Sequence, residues 1–94
     1  MIEKWMQFKL AAEHDEVFAQ ALTALAEAST QEPGCRAYQA YRCGSGSFAV
    51  LESWTNEAAF EAHRQAAHTL SFKELIAKLI VTKESQELLP IRCR

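Results

Sequence analysis

Three side chains in this sequence could move protons or hold an ion. Glu52 lies in the run Phe48-Ala49-Val50-Leu51-Glu52-Ser53-Trp54, on the same alternate positions as Phe48, Val50 and Trp54. A carboxylate among large apolar groups is either paired or perturbed, because an unpaired buried charge is costly. Arg36 or Arg42 on a neighbouring strand could pair it; otherwise it is an acid, a base or an orienting group at a pocket wall. His63 shares a helix face with Ala59, Phe60, Ala66 and Ala67, the side that should pack. It is either a satisfied core histidine or a base. His68 follows five residues later. Five helical residues turn about 500°, so the two imidazoles are expected about 140° apart, unlike a metal-binding H-x-x-x-H pair. His14 adds no recognisable ligand spacing, so no metal is expected.

Other chemistries lack their signatures. Cys35, Cys43 and Cys93 are odd in number and form no C-x-x-C pair, which signals neither a disulfide framework nor a zinc knuckle. Each reads as a small buried or half-buried thiol. Phosphate-loop, dinucleotide and G-x-S-x-G motifs are absent. Redox chemistry would then have to come from the substrate itself.

The elements that must position these residues follow from periodicity. Ile2, Lys4, Met6, Phe8 and Leu10 alternate with Glu3, Trp5, Gln7 and Lys9, a first strand with one mostly apolar face. Asp15 can cap a helix carrying Phe18, Leu22 and Leu25, widened by Val17, Ala21 and Ala28. Glu32-Pro33-Gly34-Cys35 fits a type II turn, with Pro presetting φ and Gly taking positive φ. Cys35 to Cys43 and Ser47 to Trp54 form a hairpin around Gly44-Ser45-Gly46. Thr55 can cap a helix through about Ala67, and Ser71-x-x-Glu74 spells a capping box for another, with Phe72, Leu75, Ile76, Leu79 and Ile80 on one side. A last strand is expected from about Glu87 to Cys93, on an edge or against a partner because Pro90 lacks an amide donor. This order suits an α+β, ferredoxin-like split β-α-β fold with helices on one face of an antiparallel sheet. The other sheet face carries enough apolar side chains to predict a homodimer closed through the sheets.

With 94 residues, 49 % hydrophobic and 23 % charged, the chain is expected to form a single domain over residues 1–94. It would bury roughly 60–65 % of its unfolded surface, a thin core that a second subunit would support. Sixteen Ala against three Gly and two Pro favour substantial helix. The net charge of −2, with signs mixed along the chain, argues against a nucleic-acid partner. No apolar run approaches a membrane span, and Glu3 and Lys4 interrupt any leader-like stretch, so a cytoplasmic location is expected.

Glu32-Pro33-Gly34-Cys35-x-x-Tyr38, Phe48-Ala49-Val50-Leu51-Glu52-x-Trp54, Ala58-Ala59-Phe60-x-Ala62-His63 and then His68 resemble the antibiotic biosynthesis monooxygenase (ABM) family, in particular its small stand-alone quinol monooxygenase-like members. The resemblance runs from about Ile2 to Ile91. It implies a dimeric α+β barrel that oxygenates hydroxylated aromatics, such as anthrones or quinols, without flavin, haem or metal. Trp54 stands at the family's pocket Trp, and His63 and His68 match its spaced His pair. Polyketide-oxidising members carry Asn and Tyr where this chain has Val50 and Phe60. Haem-degrading members carry an Asn on the first strand, which this chain lacks, and place Trp and His near His63 and Lys73.

Taken together, these features predict a cofactor-independent monooxygenase acting on a small hydroxyaromatic with dioxygen. Dioxygen reacts slowly with closed-shell molecules, so the substrate must first become an electron-donating anion. His63 or His68 is the expected base, which should lose effect in acid, with Glu52 orienting it. Trp54, Tyr38, Phe60, Phe72 and Val50 are the expected pocket wall. The alternatives are a proton-transfer isomerase of a small carbonyl metabolite and a non-catalytic small-molecule-binding dimer. The pocket is expected between sheet and helices, provided Trp54 and His63 lie on the same side of the sheet.

Overall fold

The computed structural model describes residues 1–79 and 81–91. Its elements are β1 (Ile2–Lys9), a short 3-10 turn (Ala12–His14), α1 (Asp15–Thr30), β2 (Cys35–Gly44), β3 (Ser47–Trp54), α2 (Glu57–Gln65), α3 (Ala67–Lys78) and β4 (Thr82–Glu87). The strands form one antiparallel sheet in the order β2-β3-β1-β4, the ferredoxin-like arrangement expected. No described helix is long and apolar enough to cross a membrane.

The inner sheet face follows the alternation. Phe8 of β1 pairs with Phe48 of β3; both pack against Phe18 of α1, and Phe8 also meets Phe72 of α3. Phe18 is fully buried at the centre, with ring centroids 4.9 Å from Phe48, 5.3 Å from Phe8 and 5.5 Å from Phe72. Tilted and edge-on rings at these spacings add to the apolar burial. Leu22 and Leu25 continue the α1 stripe, whereas Val17 is 53 % exposed and lies off it.

Several expected boundaries shift for physical reasons. Asp15 does not cap α1; it is the first helical residue, and its carboxylate accepts from the Gly46 amide at 2.6 Å and pairs with Arg42. It therefore ties the start of the helix to the β2–β3 turn. Asn56, not Thr55, caps α2, its Oδ1 accepting from the Ala59 amide at 2.9 Å. The helix expected through Ala67 stops at Gln65, because Ala66 turns extended (φ −66°, ψ 146°) and α3 restarts at Ala67. Ser71 and Glu74 thus lie inside α3, where an exposed Ser-x-x-Glu has no free amides to cap.

The last strand lies earlier than Glu87 to Cys93. β4 is the polar stretch Thr82–Glu87, paired with β1 from Lys4↔Glu87 to Lys9↔Thr82. An edge strand exposed along its whole length needs no apolar alternation, so its composition hides it. Pro90 follows the strand, while Cys93 and Ile80 fall outside the described residues.

Candidate active site

The site begins at the turn after α1. Gly34 has φ +84°, and a Cβ there would stand 2.6 Å from the Ala59 Cβ, so only glycine lets α2 pack this closely. The Gly34 carbonyl accepts from the Thr55 amide (2.9 Å), and the Glu32 carbonyl accepts from the Cys35 amide (3.1 Å), closing the expected turn. This packing presents the Glu32 side chain to α2 and α3.

The break at Ala66 then brings the two imidazoles together. His63 Nδ1 lies 2.8 Å and His68 Nε2 lies 2.6 Å from the same oxygen, Glu32 Oε2. The expected separation of about 140° assumed one continuous helix; the extended residue between the histidines removes it. A carboxylate only accepts, so both facing ring nitrogens carry their protons. His63 is 4 % exposed, with Trp54 stacked at 4.6 Å between ring centroids and Tyr38 at 5.5 Å. The Thr69 hydroxyl stands 3.4 Å from His63 Nδ1.

His63 Nε2 faces Glu52, 3.9 Å from its Oε1. That separation exceeds a hydrogen bond. Glu52 is 1 % exposed and accepts from Trp54 Nε1–H at 2.7 Å, so neither Arg36 nor Arg42 pairs it; Arg42 is taken by Asp15. Burial pushes the Glu52 carboxyl above the usual range, opposed by the Trp54 hydrogen bond and by His63, Lys4 and Lys83. The carboxylate hydrogen-bonded to His63 is therefore Glu32, while Glu52 stands beyond hydrogen-bond reach of it. Burial, reinforced by Glu52, likewise pushes the Tyr38 phenol far above its ordinary range, keeping it a hydroxyl.

These groups form part of the wall of a cleft of about 290 Å³ between sheet and helices. Tyr38, Glu52, Phe60, His63 and Phe72 line it, joined by Met6 and Thr69. Trp54 and Val50 are fully buried behind this wall and hold it in place rather than lining it. His68 turns to a separate, shallower groove beside Ala21, Ser71 and Leu75. Trp54 and His63 share one side of the sheet, as the cleft's expected position required. The rim carries Lys4, Arg64, Lys73 and Lys83, and Arg64 also contacts Glu61 at 3.3 Å.

Sequence reasoning missed Glu32 and this rim. Glu32 was read only as part of a turn, although it begins the Pro-Gly motif. Lys4 stood on the apolar alternation of β1, a signal that a charge faces the interior side. Glu32, His63 and His68 are also the described group able to hold a metal, with ligand atoms within 4.8 Å of one another. Two imidazoles and a carboxylate suit zinc or iron chemically. Tetrahedral ligands at zinc distances would stand about 3.3 Å apart, whereas two of these contacts have hydrogen-bond spacing. Cys35 is half-buried and Cys43 exposed, and both are free thiols.

A four-stranded sheet backed by helices, with one buried His–Glu cleft, defines a small α+β domain of a recognisable class. The antibiotic biosynthesis monooxygenase family matches residues 1–75, and the chain belongs to that family. A candidate antibiotic biosynthesis monooxygenase from Deinococcus radiodurans is 24 % identical, with TM-score 0.88 over 100 % of this chain and 96 % of the other. One from Nitrosomonas europaea is 18 % identical, with TM-score 0.88 over 98 % and 100 %. The protein PA3566 from Pseudomonas aeruginosa is 26 % identical, with TM-score 0.84 over 97 % and 95 %. No curated protein matches the chain in sequence.

Proposed function

We propose that this family member is a monooxygenase that oxidises a small hydroxyaromatic, of the quinol kind, with dioxygen and without flavin, haem or metal. The observation that carries this reading is His63: buried, held through Nδ1 by Glu32, with Nε2 toward Glu52, both residues lining the cleft. A base whose second nitrogen is fixed by a carboxylate is oriented and stabilised as it gains charge. A cavity of about 150 Å³ can hold benzene, so a cleft of about 290 Å³ suits one or two rings better than three.

In this mechanism His63 Nε2 takes a hydroxyl proton, and the resulting anion gives an electron to dioxygen. The radical pair joins at a ring carbon as a peroxide. The O–O bond then breaks; the outer oxygen leaves as water with the ring proton, and His63 relays the protons. One oxygen atom stays on the ring, and the substrate supplies all four electrons, so a quinol becomes a hydroxyquinone. Phe60 and Phe72 exclude water around the anion, and Glu52 in its acid form can donate to the developing peroxide. Trp54 holds Glu52 in position.

The same proposal includes a homodimer through the outer sheet face. Tyr41 and Leu51 lie there, exposed by 48 % and 37 %, and sedimentation should give a dimer at micromolar concentration. The functional test is oxygen uptake with a panel of quinols and anthrones. Uptake should collapse in His63→Ala and persist in His68→Ala. Equal activity of His63→Ala and the unaltered protein removes the base, and turnover without oxygen points to an isomerase instead. A purely binding module would have the histidines and Glu52 all pointing to solvent or into structural pairs, whereas Glu52 and His63 line this cleft.

A further inference from the structure

The cationic rim is not used by the mechanism above. The chain has more acidic than basic residues, yet Lys4, Arg64, Lys73 and Lys83 converge on one cleft. They come from four elements: β1, α2, α3 and β4. Lys83 pairs with Phe8 across the sheet, and Lys4 lies four residues from Phe8 on the same face. Phe60 holds two of the cations, with Lys4 Nζ 5.2 Å and the Arg64 guanidinium carbon 6.0 Å from its ring centroid. Lys73 reaches the cleft from α3.

Acids facing this group do not balance it. Glu61 shares Arg64 at 3.3 Å, and Glu87 pairs with Lys4 in the sheet register. Glu52 faces Lys4 from β3 but is engaged by the Trp54 indole N–H at 2.7 Å, so three acids face four cations. Lys73 and Lys83 form no ion pair among the described residues. Although Lys83 is exposed as a residue, partial desolvation of its ammonium, then Lys73, lowers its pKa against the opposing charge of Glu52. Like charges held together with too little counter-charge are unfavourable, and an anion entering the cleft relieves them.

We propose that the substrate carries an anionic group, a carboxylate or a phosphate, bound by Lys73 and Lys83 with Lys4 and Arg64 flanking it. This rests on the hydroxyaromatic reading of the same cleft. His63 and Tyr38 lie on the α2 and β2 side, whereas Lys73 and Lys83 lie on the α3 and β4 side. The substrate is thus held by its charged end, with its reacting hydroxyl pointing away toward His63. Neutral quinols lack that anchor.

The test compares binding of hydroquinone, 2,5-dihydroxybenzoate and 4-hydroxyphenyl phosphate under nitrogen, by calorimetry, with oxygen uptake measured separately. At least one anionic probe should bind about tenfold more tightly than hydroquinone at low salt, and the advantage should shrink at about 0.5 M salt. The phosphate and carboxylate probes decide which anion the rim prefers. In Lys73→Gln/Lys83→Gln, checked as folded by near-ultraviolet circular dichroism, the preference should fall below threefold. Lys9→Gln, on the outer sheet face, should keep it. No preference in the unaltered protein, or a full preference in the double variant, overturns the proposal. Oxygen uptake with hydroquinone but no anion preference defeats this inference and leaves the monooxygenase reading standing. Anion preference without oxygen uptake does the reverse.

Discussion

Glu32→Gln separates the roles of the two carboxylates near His63. The substitution keeps the shape of the side chain and removes its charge. Two imidazole N–H groups now donate to Glu32 Oε2, at 2.8 and 2.6 Å. A hydrogen bond to a charged group contributes about 1.5–3 kcal/mol and a neutral one about 0.5–1.5 kcal/mol. The His63 bond is well buried and should lose the difference, about 1–1.5 kcal/mol. The His68 side chain is 31 % exposed, so solvent screening roughly halves its share. The expected loss of stability is therefore about 2 kcal/mol, read from urea unfolding at unchanged slope.

Turnover responds to one of these bonds only. The bond to His63 strengthens as the ring takes a proton, so it favours the transition state over the resting state. About 1.4 kcal/mol corresponds to tenfold in rate, and kcat should fall about tenfold. A larger fall follows if the Gln amide instead donates to Nδ1, because the ring proton then moves to Nε2 and the base is lost. The assay is oxygen uptake at saturating substrate, with Glu52→Gln measured alongside. Near-normal stability and turnover in Glu32→Gln would refute the argument, as would a loss of stability in Glu52→Gln with none in Glu32→Gln.

Three further outcomes follow from the geometry. Glu52 has its carboxyl pKa raised in the folded protein by burial, so the folded state binds more protons and loses stability as pH rises from the usual carboxylate range through that raised value. Glu52→Gln removes this slope; urea unfolding from pH 4 to pH 8 should find the variant gaining on the unaltered protein as pH rises. Gly34→Ala forces a side chain into φ +84° and against Ala59, and thermal unfolding should record a loss of about 1–3 kcal/mol. Removing divalent metals with a chelator should leave oxygen uptake unchanged; loss restored by one cation would make Glu32, His63 and His68 a metal site instead.

Much of the fold was legible because burial imposes a period. Phe8, Phe48 and Phe18 had to face a core, and alternation or helical spacing placed each on its inner face. β4 was misplaced because an exposed edge strand answers only to backbone pairing, which leaves no pattern in Thr82–Glu87. Its Lys83 therefore went unnoticed. The helix break was read slightly late, after about Ala67 with a restart at Ser71, since alanine is the strongest helix former and nothing in its type announces an extended residue at Ala66. Local propensity favours continuation there; the break sends Phe72 into the core and Thr69 toward His63.

That break also shows why Glu52 drew attention and Glu32 did not. A carboxylate on an apolar alternation is conspicuous in a sequence, whereas one beside Pro and Gly looks like ordinary turn chemistry. Tertiary packing reverses their apparent importance for the base. Gly34 lets the turn approach α2, Ala66 lets α3 swing back, and the two movements meet at one oxygen of Glu32. Glu52 meanwhile sits in the cleft wall, tied to Trp54, with burial pushing its carboxyl up. In the proposed mechanism the two environments divide the work: Glu32 accepts from the ring N–H groups, while Glu52, its carboxyl pushed up by burial, supplies the proton to the peroxide. That mechanism uses both carboxylates, one on each side of the imidazole.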